Sequence, residues 1–271
     1  MSSARTPFVL LHGWACPPAN WDAVARLLTA AGHRVVTPHL LGYGAGSAGR
    51  DEDAWTLEAA ADDVVRLLER LGSPAVVAGH SLGGSVAATL AARRPDLVRG
   101  LAFVGMVPVA PSAATAERLT RLFLGPAAPA GPDAAAIDSV LAAWYGAAPA
   151  DPVLRAELEA PFRVRSDVLR GSLRAALGGV APEVPEKIEA PVAVVLGAGD
   201  QTRPAGPIEA LLAAHPGWTL TSVPDAGHMV HVEAPRQCAD ALLALAASAP
   251  TTPPAPVVPG HPRQPEAPTR E

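Results

Sequence analysis

Ala75-Val76-Val77-Ala78-Gly79-His80-Ser81-Leu82-Gly83-Gly84 is the stretch that decides the fold. Its first four residues read as a short buried strand. Residues 82–94 read as a helix whose Gly83, Gly84, Ala87 and Ala91 form a small-residue face able to lie close on a sheet. Between them runs G-x-S-x-G, with Ser81 at its centre. A serine on so sharp a strand-to-helix turn is held in a strained conformation, and only small neighbours let strand and helix approach. Its hydroxyl then points into the crevice at the carboxyl end of a sheet. The helix start beneath it supplies donors for developing negative charge.

Working outward, the same strand–helix alternation recurs. Phe8-Val9-Leu10-Leu11 is a strand ending at His12-Gly13, and Arg34–Thr37 is the next. Leu101–Val104, Val192–Leu196 and Thr219–Val223 complete the set. The runs are short and continuously apolar instead of alternating, which suits a parallel sheet covered on both faces by helices. Asn20 is the expected N-cap of a helix bearing Trp21, Val24, Leu28 and Ala31 and closed by Gly32. Leu57, Ala60, Val64, Leu68 and Leu71 form a second helical stripe, closed by Gly72. Between about Pro108 and Pro185 the alternation stops, and helical pieces near 114–124, 134–145 and 151–177 predict an insertion packed over one end of the sheet. Residues 1–107 and 186–249 then form one discontinuous core, and 108–185 a helical cap. Residues 250–271 hold eight prolines and few large apolar side chains, so they are expected to remain a disordered tail.

Composition excludes several functions. The chain has 271 residues, 49% of them hydrophobic and 17% charged, which suits a packed globular core and not a disordered chain. A net charge of −5 argues against nucleic acid or an anionic membrane as the main partner. No apolar run is long enough to span a bilayer. Met1–Pro7 lacks the apolar core and cleavage site of a signal peptide, so a cytoplasmic protein is expected. Cys16 and Cys238 suggest neither a metal motif nor a disulfide framework.

A nucleophilic serine needs a base and an acid that orients it. Asp200 follows the strand Val192–Leu196, and His228 follows Thr219–Val223, so three strand ends can bring Ser81, Asp200 and His228 together. Asp225 is a rival acid but sits on the histidine's own loop; His231 is a rival base but falls at the start of the next helix. An oxyanion hole needs two backbone N–H groups. Leu82, directly after the serine, and Trp14, in the loop after the first strand, are the candidates. His12 reads as a brace for that loop.

The ordered set His12-Gly13-Trp14, Gly79–Gly84, Gly197-x-Gly-Asp200 and Gly227-His228-x-x-x-x-Glu233-x-Pro235 resembles the α/β-hydrolase superfamily from Phe8 to about Ala247. The resemblance implies a doubly wound sheet with a helical cap, here of about six strands because the family's two N-terminal strands are missing. It implies a serine hydrolase of small-molecule carboxylic esters, or of a thioester or lactone, with an acyl-Ser81 intermediate and no cofactor or metal. A cyclase, lyase or acyltransferase on the same scaffold is the alternative. His-Gly-Trp is similar to the start of the pimeloyl-carrier-protein methyl esterases, and Thr37–Gly44 to the plant methylesterase and hydroxynitrile-lyase group. The lyases carry lysine where this chain has Met229, and many superfamily members carry aspartate where it has His39. The cap sets the substrate: Met106, Phe123, Trp144, Tyr145 and Phe162 are the candidate lining for an apolar acyl part. Arg163, Arg165, Arg170 and Arg174 read either as a carrier-protein contact or as a solvated helix face.

Overall fold

Six parallel strands form one sheet in a computed structural model that describes residues 6–44, 52–125, 132–145, 151–200, 202 and 205–249. They are β1 (Phe8–Leu11), β2 (Val35–Val36), β3 (Ala75–His80), β4 (Val98–Val104), β5 (Val192–Gly197) and β6 (Thr219–Val223). Their order is β2-β1-β3-β4-β5-β6. The chain leaves β1 for one neighbour and later returns to the other. That reversal creates the crevice at the carboxyl ends where ligands bind in such sheets. Leu11 pairs with Gly79, and Gly79 with Phe103, so the turns after β1 and β3 lie side by side. The 250–271 tail lies outside the described residues.

Strand pleating sorts the core into two layers. Phe8 and Leu10 point to one face, where they meet Trp21, Val24 and Leu28 of the first helical segment and Leu242 and Leu245 of the last. Val9 and Leu11 point to the other, with Val64, Leu68, Val86 and Leu90. The helices of the core are α1 (Asp22–Ala30), α2 (Leu57–Leu71) and α3 (Leu82–Arg93), then α8 (Ala205–Ala214), α9 (Val230–Glu233) and α10 (Pro235–Ser248), numbered in chain order with the four helices described next. α2 is capped by Thr56, whose hydroxyl accepts from the Ala59 N–H, and closed by Gly72. α1 starts differently from expectation. Pro17-Pro18 begin a 3-10 turn over Pro18–Trp21, the α-helix proper starts at Asp22, and the Asn20 amide donates to Tyr145 Oη instead of capping.

Between β4 and β5 lie α4 (Ala113–Leu119), α5 (Ala134–Tyr145), α6 (Pro152–Glu159) and α7 (Ser166–Gly178). The expected single piece over 151–177 is two helices. Pro161 has no N–H to continue the ladder, and a 3-10 turn at Ala160–Arg163 redirects the chain. Ser112 and Asp151 cap α4 and α6, their side chains accepting from Thr115 and Leu154 N–H. This layer sits over the carboxyl end of the sheet. Trp14, just past β1, has its ring 4.9 Å from Phe123, 5.6 Å from Phe162 and 6.1 Å from Trp144, each edge-on. Its indole N–H donates to the Leu169 carbonyl at 2.9 Å.

Candidate active site

Ser81 is one of two non-glycine residues with positive φ among the described residues, at φ 49° and ψ −118°. That backbone is costly for an L-residue and persists because its surroundings fix it. The Ser81 N–H donates to the Val104 carbonyl at 3.2 Å, and its carbonyl accepts from Gly84 N–H at 2.8 Å. A Cβ on Gly83 would lie 2.5 Å from the Leu11 carbonyl oxygen and 2.6 Å from that of His12. The glycine is therefore the contact that lets α3 touch the loop after β1.

Asp200 and His228 meet as the chain order predicts. His228 Nδ1–H donates to Asp200 Oδ2 at 2.9 Å, and both side chains are almost wholly buried. The Thr202 backbone N–H donates to Asp200 Oδ1 at 2.8 Å, and Thr202 Oγ1 lies 3.2 Å from His228 Nδ1. Burial alone would raise the Asp200 pKa; the hydrogen bond and charge of His228, with the Thr202 N–H, outweigh it and hold the carboxyl below its usual 3.8. With Nδ1 protonated toward the carboxylate, Nε2 keeps the lone pair that a base requires. Asp225 is exposed, with no hydrogen bond to His228. His231 is fully buried, its ring 4.4 Å from Trp21 and 4.4 Å from His80.

Ser81 and His228 line one small cavity of about 50 Å³ with Trp14, Trp144, Leu119 and Leu173. No hydrogen bond joins Ser81 Oγ to His228 among the described residues. His80 ties the two loops instead: its Nε2–H donates to the His228 carbonyl at 3.1 Å, and the two rings are 4.8 Å apart. Burial, with the neighbouring His231 and His228, drives the His80 pKa well below 6.5, so it is a neutral donor.

The loop after β1 is braced by two side chains, His12 and Tyr43. His12 Nδ1–H donates to the Gly13 carbonyl at 2.8 Å and Nε2 accepts from Leu40 N–H at 2.9 Å. Burial lowers its pKa to about 4, which fixes it as a neutral brace. Tyr43 Oη accepts from Ala15 N–H at 3.2 Å and bonds Ser172 Oγ at 2.9 Å. Ala15 is therefore committed, whereas the adjacent Trp14 N–H has no such partner among the described residues. Leu82 is the first residue of α3, so its N–H is one of the helix's unpaired first donors.

The expected substrate-lining residues divide. Trp144 lines the Ser81 cavity. Phe123 and Phe162 are almost fully buried and stack at 5.9 Å within the cap's aromatic cluster, outside that cavity's lining. Tyr145 accepts from Asn20. Met106 lies behind the turn, beside Gly84 and in a separate cavity of about 40 Å³ with Asp200. Thr202, Tyr43 and Glu233 have site contacts to which the sequence pattern assigned no role. Glu233 Oε2 accepts from Gly227 N–H at 3.0 Å and so pins the His228 loop. The Asp-x-Thr spacing at 200–202 is the signal that could have found Thr202, a residue whose N–H is held by the side chain of its own turn.

The sequence matches the model of the Alpha/beta hydrolase family over residues 8–241. The chain belongs to that family. It is 32% identical over 258 residues to the pimeloyl-[acyl-carrier protein] methyl ester esterase of Aromatoleum aromaticum, a match that covers 87% of this chain and 96% of that one. Among solved structures it resembles a hydrolase from Pseudomonas aeruginosa, with 26% identity, TM-score 0.71, and 90% and 91% of the two chains covered. It also resembles an esterase from Exiguobacterium antarcticum, with TM-score 0.78 and 90% and 93% covered; at 17% identity that likeness concerns the fold alone. As an α/β hydrolase it carries the crevice at the carboxyl ends of its strands described above. Among the described residues no helix is long and apolar enough to cross a membrane.

Proposed function

We propose that this hydrolase cleaves a small-molecule carboxylic ester through an acyl-Ser81 intermediate. The observation that carries the reading is the buried Asp200–His228 hydrogen bond beside a cavity that Ser81 and His228 both line. The methyl ester esterase relative supports ester chemistry. Rotation of the Ser81 hydroxyl toward Nε2 as substrate enters forms the remaining contact; such bonds often tighten only in the substrate complex. Ser81 Oγ attacks the acyl carbon while His228 Nε2 takes its proton. The Trp14 and Leu82 N–H groups stabilise the oxyanion, and the imidazolium formed against Asp200 returns its proton to the leaving alkoxide. Water, deprotonated by His228, then releases the acid. A carrier-bound acyl group has the relative's name behind it, but Arg163 and Arg165 pair with Glu159 and Asp167, and Arg170 donates to the carbonyls of Phe123 and Leu124.

The test compares wild type with Ser81→Ala on a series of acyl esters, with mass spectrometry of the intact protein. Turnover that is lost in the variant by several orders of magnitude, together with a mass increment on Ser81, is expected. Folded wild type that neither turns over esters nor acylates Ser81 overturns the reading and moves lyase or cyclase chemistry forward.

A further inference from the structure

From the hydrogen bonds that join the loop after β1 to α7 of the cap, we infer that Ser172 is a positioning residue for the oxyanion site. Through Tyr43 it holds Ala15, and with Ala15 the adjacent Trp14 N–H, which on the serine-esterase reading above meets the oxyanion.

The loop needs holding. Ala15 is buried and has φ 46°, the other positive φ besides Ser81 among the described non-glycine residues. Such backbone is unfavourable for an L-residue and persists where its surroundings over-determine it. The loop also runs beside Ser81: a Cβ on Gly13 would lie 3.4 Å from Ser81 Cβ. A shift of Ala15 is therefore felt next to the attacking oxygen.

One turn of α7 restrains both Trp14 and Ala15. Trp14 Nε1–H donates to the Leu169 carbonyl at 2.9 Å. Ala15 N–H donates to Tyr43 Oη at 3.2 Å, and Tyr43 Oη lies 2.9 Å from Ser172 Oγ. The Ser172 hydroxyl donates to the same Leu169 carbonyl at 3.2 Å. A serine hydroxyl has one proton, so the phenol donates to Ser172 Oγ and keeps a lone pair for Ala15. Donors and acceptors then agree around a closed circuit that leaves the loop at Trp14 and returns at Ala15. Burial pushes the Tyr43 phenol well above its usual value, so it keeps its proton. Ser172 is fully buried. Gly42, at φ 83°, lets the turn before Tyr43 press on α7, where a Cβ would fall 2.6 Å from Val168 Cγ2. Without the Ser172 hydroxyl the phenol proton loses its acceptor, and a shift of Oη to regain one is taken from Ala15. Leu173, Ala176 and Leu177 of the same helix line the Ser81 cavity, so α7 both shapes that cavity and fixes the loop beside it.

The test measures p-nitrophenyl butyrate hydrolysis, and inhibition by 1,1,1-trifluorohexan-2-one, in folded wild type, Ser172→Ala, Tyr43→Phe and the double variant. Ser81 Oγ adds to the ketone carbon, the carbonyl electron pair moves to oxygen and His228 takes the serine proton, so the bound hemiketal presents an oxyanion. Ser172→Ala is expected to lower kcat about 10-fold, short of the roughly 10²–10³ of losing an oxyanion donor outright, with KM within about 2-fold. The inhibition constant should rise by the same factor as kcat falls. The two residues act through one chain, so the double variant should be no slower than Tyr43→Phe. Ser172→Cys keeps the side chain's shape and weakens both of its bonds; it is read in the same way if Ser172→Ala does not fold. A purely structural role lowers Tm while kcat and inhibition of the folded variant stay at wild-type values, and that result overturns the inference. So does a double variant whose losses multiply. Both leave the esterase reading intact. Folded wild type that neither hydrolyses the ester nor forms the hemiketal overturns both.

Discussion

Acid should weaken the fold well above the carboxylate range, because neutral histidines are locked inside. His12, His80 and His231 are all buried. Burial lowers His12 from 6.5 to about 4 and His231 from 6.5 to about 3, and His80 moves the same way. Each folded value lies below the unfolded one. As pH falls through 6.5 the unfolded chain therefore binds protons that the folded chain refuses, and stability drops. At pH 5 the linkage amounts to about 2 kcal/mol for His12 and about 2 kcal/mol for His231, with His80 adding in the same direction. That is a large share of the roughly 5–15 kcal/mol of a typical domain. Asp200, whose stabilising contribution is lost only as pH falls through a value below 3.8, stays out of this window. Urea unfolding at pH 8 and pH 5 reads the difference directly. In His231→Phe, which keeps a ring against Trp21 and His80, about 2 kcal/mol of the pH-dependent drop should vanish. An unfolding free energy that is flat between the two pH values, or a drop identical in the variant, refutes the reasoning.

Other perturbations separate chemistry from scaffold. Asp200→Asn offers an amide to His228 Nδ1 and favours the wrong tautomer. It should lower kcat by about 10³–10⁴-fold with KM little changed, by steady-state kinetics, since the corresponding change in a serine protease triad costs about 10⁴-fold. Tyr43→Phe strands the buried Ala15 N–H and should cost about 1–3 kcal/mol of stability by denaturant titration, with a lower kcat as the oxyanion loop loosens. Gly83→Ala drives a Cβ into the Leu11 and His12 carbonyls and should destabilise by about 3 kcal/mol or more, whereas Gly178→Ala, with open space at its Cβ, should change Tm little.

The chain made most of its sheet legible because β1 to β5 are short apolar runs ended by glycine or a polar turn, whereas the edge strand β6 carries Thr219, Thr221 and Ser222 and is largely exposed. Ser81 and Asp200 each follow such a run and His228 follows β6, so a one-dimensional pattern located residues that are distant in sequence. The cap was less legible. Its helices contain alanine on most faces, so periodicity could not say which side is covered. Phe123 and Phe162 are large enough to bury one another, and their edge-on contacts with Trp14 and the stacking of Phe162 on Trp144 drew them out of the cavity lining. Asn20 misled for a local reason: an N-cap preference yields when two prolines upstream have already started the turn.

His80 shows why the motif's variable position is not neutral here. The G-x-S-x-G pattern requires small residues at its ends and leaves its second position open. In this chain that position carries a neutral histidine whose Nε2–H holds the His228 carbonyl. The strained turn bearing Ser81 is therefore hydrogen-bonded, one residue away, to the loop bearing His228. Gly105, with φ 60°, leaves no room for a Cβ beside the same carbonyl, so β4 closes the third side of the contact. Unfavourable backbone of about 1–3 kcal/mol at Ser81 is held by packing at Gly79 and Gly83 beneath it and by this contact beside it. Ser81 and His228 thus share one support, and a change at His80 should disturb their relative geometry before it disturbs the fold.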